Sequence, residues 1–365
     1  MTINNSPDIK FDLEPAPHIH SRMTTSKMMG IVLGALIPAY CVMIYFFGYG
    51  VLIQFLICAI SCCVAESIAA LLRKRKPVFY ITDLSALVTA AILGLTLPAF
   101  LPWYLSVSAS FFAILLVKHT FGGLGMNIFN PAMAGFIFLV ISAPGIFFST
   151  WVSPAPGAYS IATIEQSSDV IFSDKDPIML RNKIKELNTD ADILTGATYL
   201  ESIKTARKAG AVGNVETIDF ALDSYKAYGY LAIAYLLGGI ILIGFKVIPF
   251  QMPLSFLATI FIGGSIWHAL DPGMSINGIE HILFGGTMLG AFFIITDPVT
   301  NSGTFKGRIC FAIFTGLLVL LIRVQGSYSD SVAFAVMLAN AAAPLLDVLT
   351  RRRPFGIGYR KGGLD

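Results

Sequence analysis

Long apolar runs separated by short polar segments dominate this chain. Runs of about 20 residues with few charges have the length that crosses the hydrocarbon core of a bilayer as a helix. Ten such runs lie at residues 28–48, 50–72, 84–101, 103–120 and 129–148, then 227–247, 251–270, 279–296, 309–324 and 330–350. Because only helices satisfy their own backbone hydrogen bonds within one segment, the pattern predicts an all-α polytopic membrane protein with about ten transmembrane helices.

Five predicted crossings lie on each side of one long polar segment. After an odd number of crossings the chain enters the second half from the opposite side of the membrane. The pattern therefore predicts two five-helix halves that are inverted relative to each other. A weak internal similarity agrees, because residues 90–94 in the third run align with residues 286–290 in the eighth. The predicted organisation is an N-terminal tail (1–27), a first half (28–148), an extramembrane loop (149–226), a second half (227–350) and a basic C-terminal tail (351–365).

The extramembrane loop is expected to form a small helical domain. Residues 144–157 are rich in proline and glycine and are typical of a linker that leaves the first half. Asp176 and Pro177 resemble a helix cap and a first-turn proline, and apolar positions at helical spacing follow them. A second helix is predicted to begin at Thr198, because Thr198 and Glu201 form a Thr-x-x-Glu capping box.

Basic residues in the short loops predict the orientation. With ten helices threaded, residues 73–76, Lys118, Lys246, Lys306, Arg308 and 351–353 all fall on one side. The positive-inside rule makes that side cytoplasmic. Both termini are then cytoplasmic and loop 149–226 is periplasmic or extracellular, in a bacterial cytoplasmic (inner) membrane.

Composition narrows the function classes. The chain is 55% hydrophobic and 13% charged, outside the range of soluble domains. Its net charge of +3 includes no basic run interleaved with aromatics, which argues against nucleic acid as a partner. The five cysteines lie in apolar stretches without a Cys-x-x-Cys pair, and no metal site is predicted.

One stretch of the loop places hydroxyl side chains beside a glycine. It reads Asp192-Ile193-Leu194-Thr195-Gly196-Ala197-Thr198. The simple interpretation is a helix start at Thr198. The alternative uses the same geometry, because free N–H groups at a helix N-terminus bind phosphate and could seat a phosphate-linked group on the threonine.

The same seven residues resemble the flavinylation motif of the D subunit of the Rnf electron-transport complex. They also resemble the motif of the related B subunit of the sodium-pumping NADH:quinone reductase. In those families FMN is joined to the last threonine through a phosphoester bond, so the resemblance implies covalent FMN at Thr198. Asp192, Thr195, Gly196 and Ala197 are the rest of the motif, with Ile193 and Thr195 standing where the families often have Gly and Ser.

Two further segments are similar to the same families and are predicted to lie on the cytoplasmic side. The first contains Gly122, Gly123, Asn127 and Asn130, and the second contains Asp297. The resemblance suggests that these five residues contact a non-covalent riboflavin. Close helix packing, a tight turn and a capping aspartate before proline are the structural alternatives.

Other polar residues in apolar runs have a structural and a functional interpretation. Glu66 and Asp347 are intramembrane carboxylates and so are candidates for a functional role, with pairing to Arg73 or Arg351 as the alternative. His268 and His281 flank a predicted outer loop without a third ligand for a metal.

The resemblance covers about residues 21–354. It implies a membrane subunit that relays electrons through FMN and riboflavin between ferredoxin and NAD, coupled to sodium or proton movement. The expected partners are the other subunits of the complex, a flavin transferase and the lipid bilayer, and no complete activity is expected of the subunit alone. The rival hypothesis is a solute channel or transporter, because inverted repeats are also a transport architecture.

Overall fold

The computed structural model describes residues 23–152, 154, 162–172, 218–271, 275–326 and 331–351. These residues form helices and connecting turns, and no β-strand occurs among them. The helices are α1 (Thr25–Phe47), α2 (Gly50–Leu72), α3 (Pro77–Ile81), α4 (Ser85–Thr96), α5 (Trp103–Phe111, continued by a π-helix, Phe112–His119), α6 (Pro131–Ser142), α7 (Pro144–Ser149), α8 (Ile164–Phe172), α9 (Ile218–Gly244), α10 (Gln251–Leu270), α11 (Gly278–Leu283), α12 (Thr287–Leu289, continued by a π-helix, Gly290–Ile294), α13 (Phe305–Gln325) and α14 (Val332–Thr350).

Six of the described helices are long and apolar enough to cross a membrane. They are α1, α2, α10, α13, α14 and the Tyr225–Gly244 part of α9. Their outward faces carry large apolar side chains, such as Leu56, Ile60 and Val64 on α2, which suit contact with lipid. The chain is therefore a multi-pass membrane protein, and six of the ten predicted crossings are confirmed as long apolar helices.

The other four predicted crossings are shorter or interrupted. The third is reduced to α4, whose 12 residues span about 18 Å at 1.5 Å per residue. The fourth is the 17-residue helix Trp103–His119, and the fifth is divided at Ala143 into α6 and α7. The eighth is divided at residues 284–286 into α11 and α12. Apolar content alone does not reveal these breaks.

Residues 144–157 are not entirely a linker, which corrects the prediction for this segment. Pro144 begins helix α7, because a proline at the first helical position has the right φ and lacks only an N–H that would be unpaired there. Helix α8 follows within the loop. The two helices predicted near Asp176 and after Thr198 lie outside the described residues.

The order of helices recurs in the two halves. Two long helices are followed by a short one, then by a half-length helix that starts after a left-handed residue, Leu84 with φ +62° or Gly286 with φ +68°. Equivalent helices also meet, since α1 packs against α9 and α6 against α14. A Cβ on Gly238 would lie 2.3 Å from the carbonyl oxygen of Ala35, so glycine is required at the first of these contacts.

One end of the bundle gathers most of the exposed basic residues of the described segments, and we call it the basic end. The Ser26 hydroxyl donates to the Thr82 carbonyl at 2.8 Å, Arg73 donates to the Gly122 carbonyl at 2.5 Å, and the Gly303 N–H donates to Asp347 at 2.9 Å. These contacts fix the loops within each half, and a cavity wall that Met28, Asn127 and Asp297 share places both sets of loops at the same end. The loops carry Lys27, Lys74, Arg75, Lys76, Lys306 and Arg351.

Candidate functional site

Two cavities lie between the halves, one toward each end of the bundle. One cavity lies toward the end of the bundle opposite the basic end, and we call it the far-end cavity. Its wall is mainly apolar and includes nine aromatic residues: Phe47, Phe136, Phe147, Phe148, Trp151, Tyr228, Tyr235, Phe284 and Phe334. The wall of the other cavity, the basic-end cavity, combines apolar residues with Ser85, Thr89, Lys118, Asn127, Asn130, Thr296 and Asp297. Apolar clefts with a few polar groups are the usual sites for small organic ligands.

The half-length helices α4 and α12 line both cavities. Ile92 of α4 faces the basic-end cavity, while Leu95 and Thr96 face the far-end one. Helix α12 runs the other way, with Leu289 on the far-end cavity and Phe292 on the basic-end one. Three residues of helix rise about 4.5 Å, so only about one helical turn separates the two cavity walls.

Asn127, Asn130 and Asp297, three of the five residues suggested for riboflavin, lie together on the wall of the basic-end cavity. Gly122 and Gly123 are in the adjoining loop and are not among the lining residues. Their φ angles of +132° and +101° explain the glycines, because L side chains rarely adopt this conformation. Arg73 holds the loop by donating to the carbonyls of Gly122 and His119.

The two asparagines use only part of their hydrogen-bonding capacity. Asn127 Nδ2 donates to the Phe129 carbonyl at 3.0 Å, and Asn130 Oδ1 caps α6 by accepting from the N–H groups of Ala132 and Met133. Within the described part of the chain, the structure gives no partner to Asn127 Oδ1 or Asn130 Nδ2. The cavity wall therefore offers one acceptor and one donor.

Asp297 adds a carboxylate in the turn after α12. It accepts from the Val299 N–H and the Thr300 hydroxyl, both at 3.2 Å. Loss of water around this carboxylate raises its pKa above the usual range, and the two hydrogen bonds oppose part of that effect. The predicted capping role of Asp297 is thus confirmed in its geometry.

A buried charged cluster adjoins the same cavity. Lys118 Nζ lies 2.9 Å from both carboxylate oxygens of Glu66 and 2.7 Å from the Ser85 hydroxyl. His119 Nε2 lies 3.0 Å from Glu66 Oε1, and the side chains of Glu66, Lys118 and His119 are almost completely buried. The π-helix helps, because its wider turn reduces the angle between successive side chains and lets two of them reach one carboxylate.

The partner of Glu66 is Lys118 and not Arg73 or Arg351, the alternatives that the sequence suggests. Glu66 binds Lys118 and His119, whereas Arg73 binds carbonyls. Asp347 accepts from Ser302 and from the N–H of Gly303. The sequence does contain a signal for the pairing of Glu66 with Lys118. A carboxylate inside an apolar run requires a cation, and Lys118 lies within such a run.

The second half contains an equivalent polar cluster at the far end. Arg323 donates to the His281 carbonyl at 2.7 Å, to the Gly285 carbonyl at 3.2 Å and to the Thr287 hydroxyl at 3.1 Å. His281 Nε2 lies 3.1 Å from the Ser275 hydroxyl. His268 Nδ1 contacts the Ser275 carbonyl at 2.7 Å. These bonds hold the break between α11 and α12.

The motif at Asp192, Thr195, Gly196, Ala197 and Thr198 lies outside the described residues. The loop that contains it is bounded by described segments that border the far-end cavity. Trp151, near the start of loop 149–226, and Tyr228, two residues after its end, both lie on the cavity wall.

Comparisons with known proteins cover nearly the whole chain. The model of the NQR2, RnfD, RnfE family matches residues 12–356. A protein of Vibrio cholerae serotype O1, named as the D subunit of an ion-translocating oxidoreductase complex, is 40% identical over 349 residues, which is 95% of this chain and 99% of that protein. Proteins of the same name from Aliivibrio salmonicida and Escherichia coli are both 38% identical, each over 96% of this chain and 99% of the relative.

Proposed function

This chain belongs to the NQR2, RnfD, RnfE family, and on that premise we propose that it is the membrane subunit of an ion-translocating oxidoreductase complex and relays electrons between two flavins. The relatives that are named as the D subunit of such a complex support a role beside other subunits. The reaction, oxidation of ferredoxin and reduction of NAD or the reverse, then requires the whole complex, and this subunit alone has no complete activity.

The stacking of the two cavities is the observation that carries the proposal. Electron transfer through protein is rapid only over short distances, and one turn of α4 and α12 separates the two walls. A redox group in each cavity would therefore exchange electrons without moving. Leu93 and Ala291, which lie on the helices between the two cavities, are completely buried. This packed layer would block ions and water.

The basic-end cavity suits a non-covalent riboflavin. The imide edge of an isoalloxazine ring has an N–H donor between two carbonyl acceptors, which complements Asn127 Oδ1 and Asn130 Nδ2. The apolar faces of the ring suit Ile92, Phe292 and Phe293. Bound riboflavin would accept and donate single electrons, while these residues bind and orient it.

The far-end cavity suits the ring of an FMN attached through its phosphate to Thr198. The loop that carries Thr198 is bounded by the cavity residues Trp151 and Tyr228, so its two ends lie beside the cavity. The aromatic wall would contact the ring, and the tether would keep the flavin beside its partner. A flavin transferase outside the cytoplasm would attach it.

The membrane arrangement forms part of the same proposal. We infer that the ten apolar segments form two inverted five-helix halves, with the basic end and both termini cytoplasmic and loop 149–226 outside the inner membrane. The half-length helices then provide the interrupted elements around which inverted repeats bind ligands. The coupled ion is sodium or a proton.

The test is a flavin inventory of the purified complex. We expect one covalent flavin that fluoresces in a denaturing gel and one extractable riboflavin. Thr198→Ala should abolish the gel fluorescence, Thr195→Ser should retain it, and mass spectrometry should find FMN less one water on the peptide with both threonines. Asn127→Ala should lower only the extractable flavin. Fluorescence that survives in Thr198→Ala would refute the attachment site, and a wild type without extractable flavin would refute the riboflavin site.

The rival function is a solute channel or transporter, favoured by the observation of one cavity toward each end of the bundle. Colour separates the two functions. A purified protein that is colourless and moves a solute across liposome membranes would support transport, whereas a protein that stays yellow after denaturation supports the electron relay.

A further inference from the structure

A chain of hydrogen bonds connects the surface of the basic end with the wall of the basic-end cavity. The Ser85 hydroxyl and the Ser85 N–H both bind Asp83 Oδ1, at 2.5 and 2.8 Å. Lys118 Nζ donates to the same hydroxyl at 2.7 Å and to Glu66. We propose that Asp83, Ser85 and Lys118 form a proton path that supplies one proton for each electron reaching the ligand of this cavity. This inference rests on the proposed flavin in the basic-end cavity.

The positions of the three residues fit a path with an entrance and an exit. Asp83 is half-buried in the turn between α3 and α4 and does not line the cavity. Ser85 and Lys118 are buried and line the cavity wall. Each neighbouring pair is already within hydrogen-bond distance, so a proton can pass along the path without a change of fold.

The proton balance is simple. When an electron reached the ligand, an N–H bond of the Lys118 ammonium would break and a bond from that hydrogen to the ligand would form. The neutral amine would take the proton of the Ser85 hydroxyl, and Ser85 would be reprotonated through the Asp83 carboxylate, which takes the proton from a solvent hydronium ion and releases water. One proton and one electron reach the ligand, and all three residues return to their starting state.

Glu66 and His119 hold the path in place. Glu66 fixes the ammonium through both carboxylate oxygens, and His119 Nε2 contacts Oε1 of the same carboxylate. An N–H donated by His119 would keep Glu66 hydrogen-bonded while Lys118 is neutral, which lowers the cost of a buried unpaired carboxylate. The other groups around His119 are the Tyr80 ring and Arg73, whose guanidinium donates to the His119 carbonyl.

The second half shows that the turn does not need these groups in order to fold. There, Gly285, Gly286 and Thr287 occupy the positions of Asp83, Leu84 and Ser85, and Arg323 occupies the place of Lys118. Arginine stays protonated in proteins and glycine has no carboxylate, so this junction holds the helix break but cannot pass a proton. Asp83 and Lys118 are therefore proton-transfer groups that occur only in the first half, at a helix junction that both halves contain.

Asp83→Asn is the decisive variant, because its side-chain oxygen can still accept from Ser85 but the amide carries no proton. In the purified complex we expect normal riboflavin content and an unchanged midpoint potential. The rate of riboflavin reduction, measured by stopped-flow absorbance, should fall about tenfold or more, since a missing proton donor commonly costs 10²–10⁴-fold. The slowed rate should be lower in D₂O, and a small weak acid such as formic acid should restore it.

Ser85 supplies the matched pair of variants. Ser85→Ala should be as slow as Asp83→Asn, whereas Ser85→Thr, which keeps a hydroxyl and is the residue found in the equivalent turn, should be clearly faster than Ser85→Ala. Reduction at the wild-type rate in both Asp83→Asn and Ser85→Ala would overturn the path. A loss of bound riboflavin in Asp83→Asn that accounts for the slower rate would also overturn it, leaving Asp83 as a turn cap. Absence of riboflavin from the wild type would instead refute the proposed function.

Discussion

The two halves of the bundle contain the same helix junction, before α4 and before α12, but the side chains at the two junctions differ. In each half a residue in the left-handed conformation precedes a half-length helix, the first residue of that helix carries a hydroxyl, and a cation from a later helix binds the hydroxyl. In the first half the cation is Lys118 and a carboxylate binds it, whereas in the second half Arg323 binds backbone carbonyls. The backbone arrangement is therefore set by the helix break, and the chemistry is set by a few side chains.

The largest effect should come from removing the cation of the first half. Lys118→Met leaves Glu66 buried without its ammonium, and losing one partner of a buried ion pair costs about 3–5 kcal/mol. We expect a strongly lowered unfolding temperature in detergent, measured by intrinsic fluorescence. The double variant Glu66→Gln with Lys118→Met should recover much of the loss. Equal loss in the single and double variants would show that packing around Lys118, and not charge, is what matters.

A smaller effect is expected from the cation of the second half. Arg323→Met removes the bonds to both carbonyls, but the His281 carbonyl still accepts from the Thr287 hydroxyl at 2.7 Å, so only the Gly285 carbonyl loses its partner here, at about 1–3 kcal/mol for a buried group left unsatisfied. Lysine at this position can restore part of the bonding, so Arg323→Lys should be intermediate in thermal stability. If Arg323→Met were as destabilising as Lys118→Met, the proposed difference between the two junctions would be wrong.

The smallest effect concerns Asp297, which has no carboxylate counterpart among the described residues of the first half's cavity wall. Because the folded-state pKa of Asp297 is raised, the folded protein binds this proton more tightly than the unfolded chain. Its contribution to stability therefore falls as pH rises through the window between the ordinary and the raised pKa. Asp297→Asn should melt at a slightly higher temperature than wild type at neutral pH, with the difference shrinking on acidification. A difference that grows in acid would reverse the assigned direction.

The sequence predicts the long helices well, because about 20 apolar residues in a row leave few alternatives in a membrane protein. It does not predict where α4 begins, since Leu84 adopts a left-handed conformation that leucine rarely adopts and that the surrounding structure must impose. The inverted and ten-crossing arrangement stays a prediction.

Part of the candidate site can be predicted from the sequence. Asn127, Asn130 and Asp297 could be assigned to one side of the membrane from charge, and the fold brings them to one wall. The pairing of Glu66 with Lys118 joins residues 52 positions apart and depends on how α2 packs against the π-helix. Hydrophobic periodicity contains no information about such a pair.

The single turn of packed side chains between the two cavities also has an electrical consequence. A membrane voltage falls mainly across material that water does not reach, so cavities open to opposite sides would concentrate the field on this thin layer. An electron passing from one cavity to the other would then cross nearly the full voltage, at about 2.3 kcal/mol per 100 mV. An electron that moves by only about one helical turn would thus do work against nearly the whole membrane potential.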